Sequence, residues 1–219
     1  MFLPHAQKCC GIPGLSVGNG QLVEDLADAN LAAFSDKNIS HIITACGSCN
    51  GGIGEYYRTM KGDYGAITEK VVDFSVFLKK EGFLEELYRL PRWEKRTKVT
   101  YHDPCHLKTQ GITEEPRAIL KALPNIEYVE MEGASLCCGL GGTFSLHHYE
   151  CSKAIGAKKI PGLLESAAEK IATACPGCMI QLQDTINHAS LKVESVHILQ
   201  LIEEALNEAE ATPLPRDLY

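Results

Sequence analysis

The chain has 219 residues, 45% hydrophobic and 22% charged, with a formal net charge of −7. This is the make-up of a globular chain of one large or two small domains. The acidic balance, with no basic cluster, argues against non-specific nucleic-acid binding, and no apolar run reaches the roughly 20 residues that span a bilayer. Helix and strand signals alternate from there on. Residues 24–34 read as a helix, with Leu26, Ala29 and Ala33 on one face. Residues 39–44 read as a short buried strand, and 53–60 and 73–80 as helices. The charged stretch 79–96, containing Pro91, is the expected linker between two halves. In the second half, 98–102 is an expected strand, 115–123 a helix and 126–131 a strand. Helices are expected at 144–158 and 163–170, a strand at 171–174, a helix at 179–187, a short strand at 193–195 and a closing helix at 197–208. The last residues, with two prolines, read as a loose tail. This alternation predicts an α/β fold: two similar three-layer halves with mostly parallel sheets, related by a pseudo-two-fold axis.

The cysteines carry the chemistry. Nine of the ten fall into two sets, and Cys151 is left over. The first set is Cys9–Cys10–Gly11 and, after a gap of 35 residues, Cys46 and Cys49. The second is Cys105, then Cys137–Cys138–Gly139 and, after a gap of 36, Cys175 and Cys178. A repeated thiol pattern points to two soft-metal sites on two similar halves. Disulfides fit poorly. Residues 1–5 show no charged n-region of an export signal, so a reducing, cytoplasmic setting is expected, where thiols stay free or bind metal. Zinc fits a CxxC half-site, but zinc ribbons join two such pairs through about 15–20 residues, and five thiolates exceed the four that structural zinc takes. Iron–sulfur clusters are bound by cysteine thiolates. The glycines Gly139, Gly141 and Gly142, and Gly51, Gly52 and Gly54, let backbone approach an anionic group closely. Each CxxC, and Cys105, is expected just past a strand end, where ligand sites of open α/β sheets gather.

On these residues the chain resembles the CCG-domain family, the cysteine-rich domain of heterodisulfide reductases and of iron–sulfur subunits of glycolate and lactate dehydrogenases. The family pattern is a cysteine, then Cys-Cys-Gly, then CxxC, usually present twice. His102-Asp-Pro-Cys-His106 and the run from Cys137 to Phe144 look most like the hydroxyacid-dehydrogenase branch. The resemblance implies a [4Fe–4S] cluster, cubane or noncubane, on Cys105, Cys137, Cys138, Cys175 and Cys178. The first set lacks its leading cysteine, so residues 1–90 are read as an incomplete half and 97–210 as a complete one. The missing cysteine, with a strand and helix, is expected upstream of Met1. Cys9, Cys10, Cys46 and Cys49 are then expected to bind a second cluster or zinc, or to stay empty.

The resemblance further implies an iron–sulfur electron-transfer subunit linked to 2-hydroxy acid oxidation. Its partners would be a flavoprotein dehydrogenase subunit and a ferredoxin-like subunit or domain, and any membrane association would run through that complex. A heterodisulfide- or thiol-reducing catalytic subunit and a non-enzymatic zinc or scaffold module are the alternatives. Among other residues, His102 and His106 flank Cys105 and are either cluster neighbours or packing residues. His147 and His148 are expected to be unrelated to metal. Cys151 is expected to be a small buried hydrophobe, Tyr56 and Tyr57 core or interface residues, and Asp103–Pro104 a turn that aims Cys105.

Overall fold

Among the described residues, six short strands pair in parallel in two sheets. The computed structural model describes residues 2–35 and 38–211. The chain begins with α1 (Ile12–Ser16) and α2 (Gly20–Ala33). The Asn19 side chain caps α2, accepting from the Leu22 N–H at 3.1 Å. Next come β1 (Ile42–Thr44) and the short α3 (Gly47–Cys49). The expected helix over 53–60 is instead a π-helical turn (Asn50–Glu55) followed by a 3-10 turn (Tyr56–Thr59). Three glycines in six residues leave this segment without the side chains that hold a regular α-helix. Then α4 (Gly65–Thr68) leads to β2 (Val71–Asp73), a strand too short to signal itself. α5 (Phe74–Lys80) and α6 (Phe83–Arg89) follow, so the charged stretch read as a linker contains a helix.

The second sheet is built from β3 (Thr97–His102), β4 (Ile126–Tyr128), β5 (Lys170–Thr173) and β6 (Glu194–His197), in the order β4-β3-β5-β6. Between β3 and β4 lie α7 (Cys105–Thr109) and α8 (Glu114–Ala122). The expected helix over 144–158 is two helices, α9 (Phe144–His147) and α10 (Tyr149–Ala157), broken where His148 leaves helical geometry at φ −132°. α11 (Ile160–Ser166) stops at Ala167, which turns left-handed at φ 51°. α12 (Pro176–His188) joins β5 to β6, and α13 (Ile198–Ala211) closes the described chain. The tail read from the two prolines lies outside the described residues.

The central strands β3 and β5 are buried from Val99 to His102 and from Ile171 to Thr173. That is the burial of a parallel strand covered on both faces. Val99, Tyr101 and Ala172 face one core with Leu107, Ile119 and Leu120. Ile171 faces the other, beside Leu182, Ile186 and three cysteines, Cys138, Cys175 and Cys178. A third core under β1 gathers Ala27, Tyr57 and Ile67 around Cys10. The two-stranded sheet matches only the β5–β6 part of the larger one: strand, CxxC helix, strand, helix.

Candidate metal centre

Strand ends deliver the thiols. β1 ends at Thr44 and β5 at Thr173, and Cys46 and Cys175 follow as extended N-cap residues of α3 and α12, both at φ −149°. Cys49 closes α3, and Cys178 lies in the first turn of α12. Cys105 is the first residue of α7, with Pro104 as its N-cap. The Asp103–Pro104 turn that aims it is clamped from behind. Arg117 donates to both Asp103 carboxylate oxygens at 2.6 and 2.9 Å, and to both Glu130 oxygens at 2.8 and 2.9 Å. Such forked contacts fix direction as well as distance.

The Cys137–Cys138 loop is pressed against α10 and α11 through points where only glycine fits. Gly139 stands at φ +101°, and a Cβ there would meet the Ser152 carbonyl oxygen at 2.4 Å. A Cβ on Gly156 would lie 3.0 Å from the Cys138 carbonyl, and one on Gly162 only 2.0 Å from that of Glu132. Ser152 Oγ donates to the Gly139 carbonyl at 2.8 Å, and the Gly139 N–H points at Cys137 Sγ at 3.4 Å.

The sulfurs meet, and all ten cysteines are free thiols. Cys138 Sγ lies 3.5 Å from Cys178 Sγ. Cys178, between Cys138 and Cys175, is pushed up, first by Cys138. Cys138 is pulled down, first by Cys137, and Cys175 is pulled down, first by Cys178. Burial raises Cys105, with the charges of Cys138 and Cys175 adding to it. In the first set, Cys10 falls to about 6 through its contact with Cys49. Cys49 is pushed up, first by Cys10 and then by Cys46. The two sets are not separate. Cys46 Sγ approaches Cys175 Sγ to 4.0 Å, and that contact raises Cys46 to about 11. The CxxC turns are also tied by the Gly47 N–H, which donates to the Ala174 carbonyl at 3.0 Å. Cys10, Cys138, Cys175 and Cys178 are buried, while Cys9, Cys105 and Cys137 lie on the exposed rim.

Further side chains stand beside the thiols: His102 and His106, which flank Cys105 in the sequence, and Ser48, which carries no sequence signal of its own. One imidazole nitrogen of His102 and the sulfurs of Cys138 and Cys178 lie within 4.8 Å of one another. His102 Nδ1 is 3.3 Å from the Ala134 carbonyl, which can only accept, so Nδ1 carries a proton. His102 Nε2 is buried without a hydrogen-bond partner among the described residues. His106 Nδ1 pairs with Ser48 Oγ at 3.0 Å, and Ser48 Oγ is 3.7 Å from Cys175 Sγ. Tyr57 is fully buried and accepts from Asn30 Nδ2 at 3.1 Å. His148 stacks on Phe144 at the α9–α10 break. Cys151 corrects the sequence expectation: it is exposed on α10, whose buried positions are Ser152 and Gly156.

A parallel α/β fold that brings two cysteine sets to its strand ends defines a thiolate metal-centre protein. The cysteine-rich CCG domain model matches residues 1–54 and 99–183, and the chain belongs to that family. It is 33% identical over 210 residues to a fumarate reductase (CoM/CoB) subunit of Methanothermobacter marburgensis, covering 94% of this chain and 40% of that one. It is 34% identical over 214 residues to the probable glycolate oxidase iron-sulfur subunit of Bacillus subtilis, covering 94% and 48%. Against a dihydromethanophenazine:CoB–CoM heterodisulfide reductase subunit of Methanosarcina acetivorans the identity is 29% over 216 residues, covering 94% and 51%. The chain thus spans about half or less of the length of these relatives. Among the described residues, no helix is long and apolar enough to cross a membrane.

Proposed function

We propose that the chain is the cluster-binding part of an iron–sulfur electron-transfer subunit in an oxidoreductase of 2-hydroxy acid oxidation. The convergence of the second cysteine set around the 3.5 Å Cys138–Cys178 contact carries this reading. The residues fit the group. The Cys138 and Cys178 sulfurs meet beside an imidazole nitrogen of His102, Cys105, Cys137 and Cys175 lie within electrostatic reach of them, and the Gly139 N–H points at Cys137 Sγ. Cys105, Cys137, Cys138, Cys175 and Cys178 would hold one [4Fe–4S] cluster. Cys9, Cys10, Cys46 and Cys49 would hold a second cluster or zinc. When bound, such a cluster stores and releases one electron at a time. The protein supplies thiolates, backbone N–H groups and burial. Residues 1–90 and 97–210 would act as two cluster-bearing halves. The donor would be a flavoprotein dehydrogenase subunit, with a ferredoxin-like subunit or domain alongside and any membrane attachment made through that complex. Anaerobic mixing with the flavoprotein and a 2-hydroxy acid tests it. Bleaching of the cluster absorbance that depends on the acid supports the reading, and no bleaching with lactate or glycolate counts against it.

A second reading has one observation in its favour. Cys105 and Cys137 sit on the exposed rim, where a substrate sulfur can reach the site. On this reading the protein reduces a disulfide. Rapid reoxidation of dithionite-reduced protein by a disulfide, with two thiols formed per two electrons, would select it over the first.

A further inference from the structure

Lys159 caps the start of α11 and is 1% exposed. Its neighbour Lys158 is exposed. A buried lysine is rare unless paired. Lys159 Nζ donates to the Gly133 carbonyl at 2.8 Å and the Ala134 carbonyl at 3.1 Å, and it makes no ion pair among the described residues. Asp103, the one carboxylate among the groups that act on Lys159, has both oxygens taken by Arg117. The Ala134 carbonyl also accepts from the Asp103 N–H at 3.1 Å and from His102 Nδ1. Lys159 therefore stands behind the loop that leads into Cys137 and Cys138. The close approach at Gly156 and Gly162, on either side of it, fixes that position.

A buried ammonium with only dipoles around it costs several kcal/mol. Two carbonyls offset part of this cost, and a nearby negative charge would offset the rest. Burial pushes Lys159 down to about 8, while Cys138, Asp103, Cys178 and Cys137 pull it back up, so the thiolates lie within its electrostatic reach.

We propose that Lys159 is the resident counter-charge of the second cysteine set, a positioning residue that raises the reduction potential of the anionic centre bound there. The proposal rests on the iron–sulfur reading above. A fixed positive charge favours the more negative, reduced state of a thiolate-bound centre, because the attraction grows with the charge it faces and is little screened in a buried site.

The test uses the anaerobically purified full chain with iron and sulfide measured, and redox titration of the second centre followed by EPR. Lys159→Gln keeps N–H donors for the two carbonyls but removes the charge. Lys159→Met removes both, Lys159→Arg keeps the charge, and Lys158→Gln is the surface control. At the wild-type midpoint, the reduced-to-oxidised ratio is expected to fall at least tenfold in Lys159→Gln and Lys159→Met, about 59 mV for one electron. It should stay within about twofold in Lys159→Arg and Lys158→Gln. Full iron and sulfide in Lys159→Gln with an unmoved midpoint would overturn the proposal and leave Lys159 as a loop anchor. A shift in Lys159→Met alone would do the same. If Lys159→Met fails to fold, Lys159→Gln against Lys159→Arg still decides it. Wild-type protein without sulfide would instead overturn the parent reading, and the counter-charge role with it.

Discussion

Replacing Arg117 with methionine tests how Cys105 is aimed. The guanidinium makes five hydrogen bonds: two to Asp103, two to Glu130 and one to the Thr113 carbonyl at 2.8 Å. Asp103 and Arg117 side chains are only 5% and 10% exposed, whereas Glu130 is 50% exposed. Most of the cost therefore comes from leaving the Asp103 carboxylate buried and unpaired, about 3–5 kcal/mol. Glu130, partly in water, adds at most about 1 kcal/mol. In anaerobic urea unfolding at neutral pH, the midpoint should drop by more than about 1 M if m is near 3 kcal/mol/M. Arg117 holds the Glu130 carboxyl below its ordinary range. That contribution is present above the ordinary carboxylate pKa and fades as the pH falls through the lowered one. The gap between wild type and variant should accordingly narrow slightly on the acid side. The double variant with Asp103→Asn should lose less than the sum of the two single changes, because the charge left behind is gone. A loss below about 1 kcal/mol in Arg117→Met, or strict additivity, would refute the argument that this clamp neutralises a buried carboxylate.

Four further outcomes follow from packing and ligation. Gly162→Ala drives a Cβ to 2.0 Å from the Glu132 carbonyl, a backbone atom that cannot swing away, and thermal unfolding should show a loss of at least about 1–3 kcal/mol. Asn50→Ala strands its partners: Asn50 is 4% exposed, accepts from Thr44 Oγ1 and donates to Gln110 Oε1 at 2.6 Å. Calorimetry should show about 1–3 kcal/mol lost, and a neutral result would mean that this link between the CxxC turn and α7 contributes nothing. Cys151→Ser should leave metal content and stability within about 0.5 kcal/mol of wild type, since the side chain is exposed and outside both sets, whereas Cys178→Ser should strip the second site of its iron.

What was legible in the sequence was whatever repeats or alternates. The cysteine spacing, the glycines beside it and the strand before each CxxC were readable because buried parallel strands are apolar and end at the site. The elements that escaped lack such a pattern. β2 is three residues long, and the Asn50–Glu55 turn is held by its surroundings rather than by helix-forming side chains. Cys151 was misjudged because a lone cysteine looks the same buried or exposed until α10 turns Ser152 inward. Arg117 and Lys159 were invisible as site residues. Neither belongs to a motif, and only the folded chain brings Arg117 behind Asp103 and Lys159 behind the Gly133–Ala134 carbonyls. The contact between the two cysteine sets was equally hidden, because spacing within each set says nothing of the 4.0 Å between Cys46 and Cys175.

The most direct test of the central claim is iron, acid-labile sulfide and zinc per chain in protein purified without oxygen, with EPR of the same sample. The account predicts about four irons and four sulfides per chain at the second cysteine set, the usual content of one [4Fe–4S] cluster, lost in Cys178→Ser. About twice that would place a second cluster on Cys9, Cys10, Cys46 and Cys49. Zinc without sulfide would contradict the account and leave a structural thiolate module in its place.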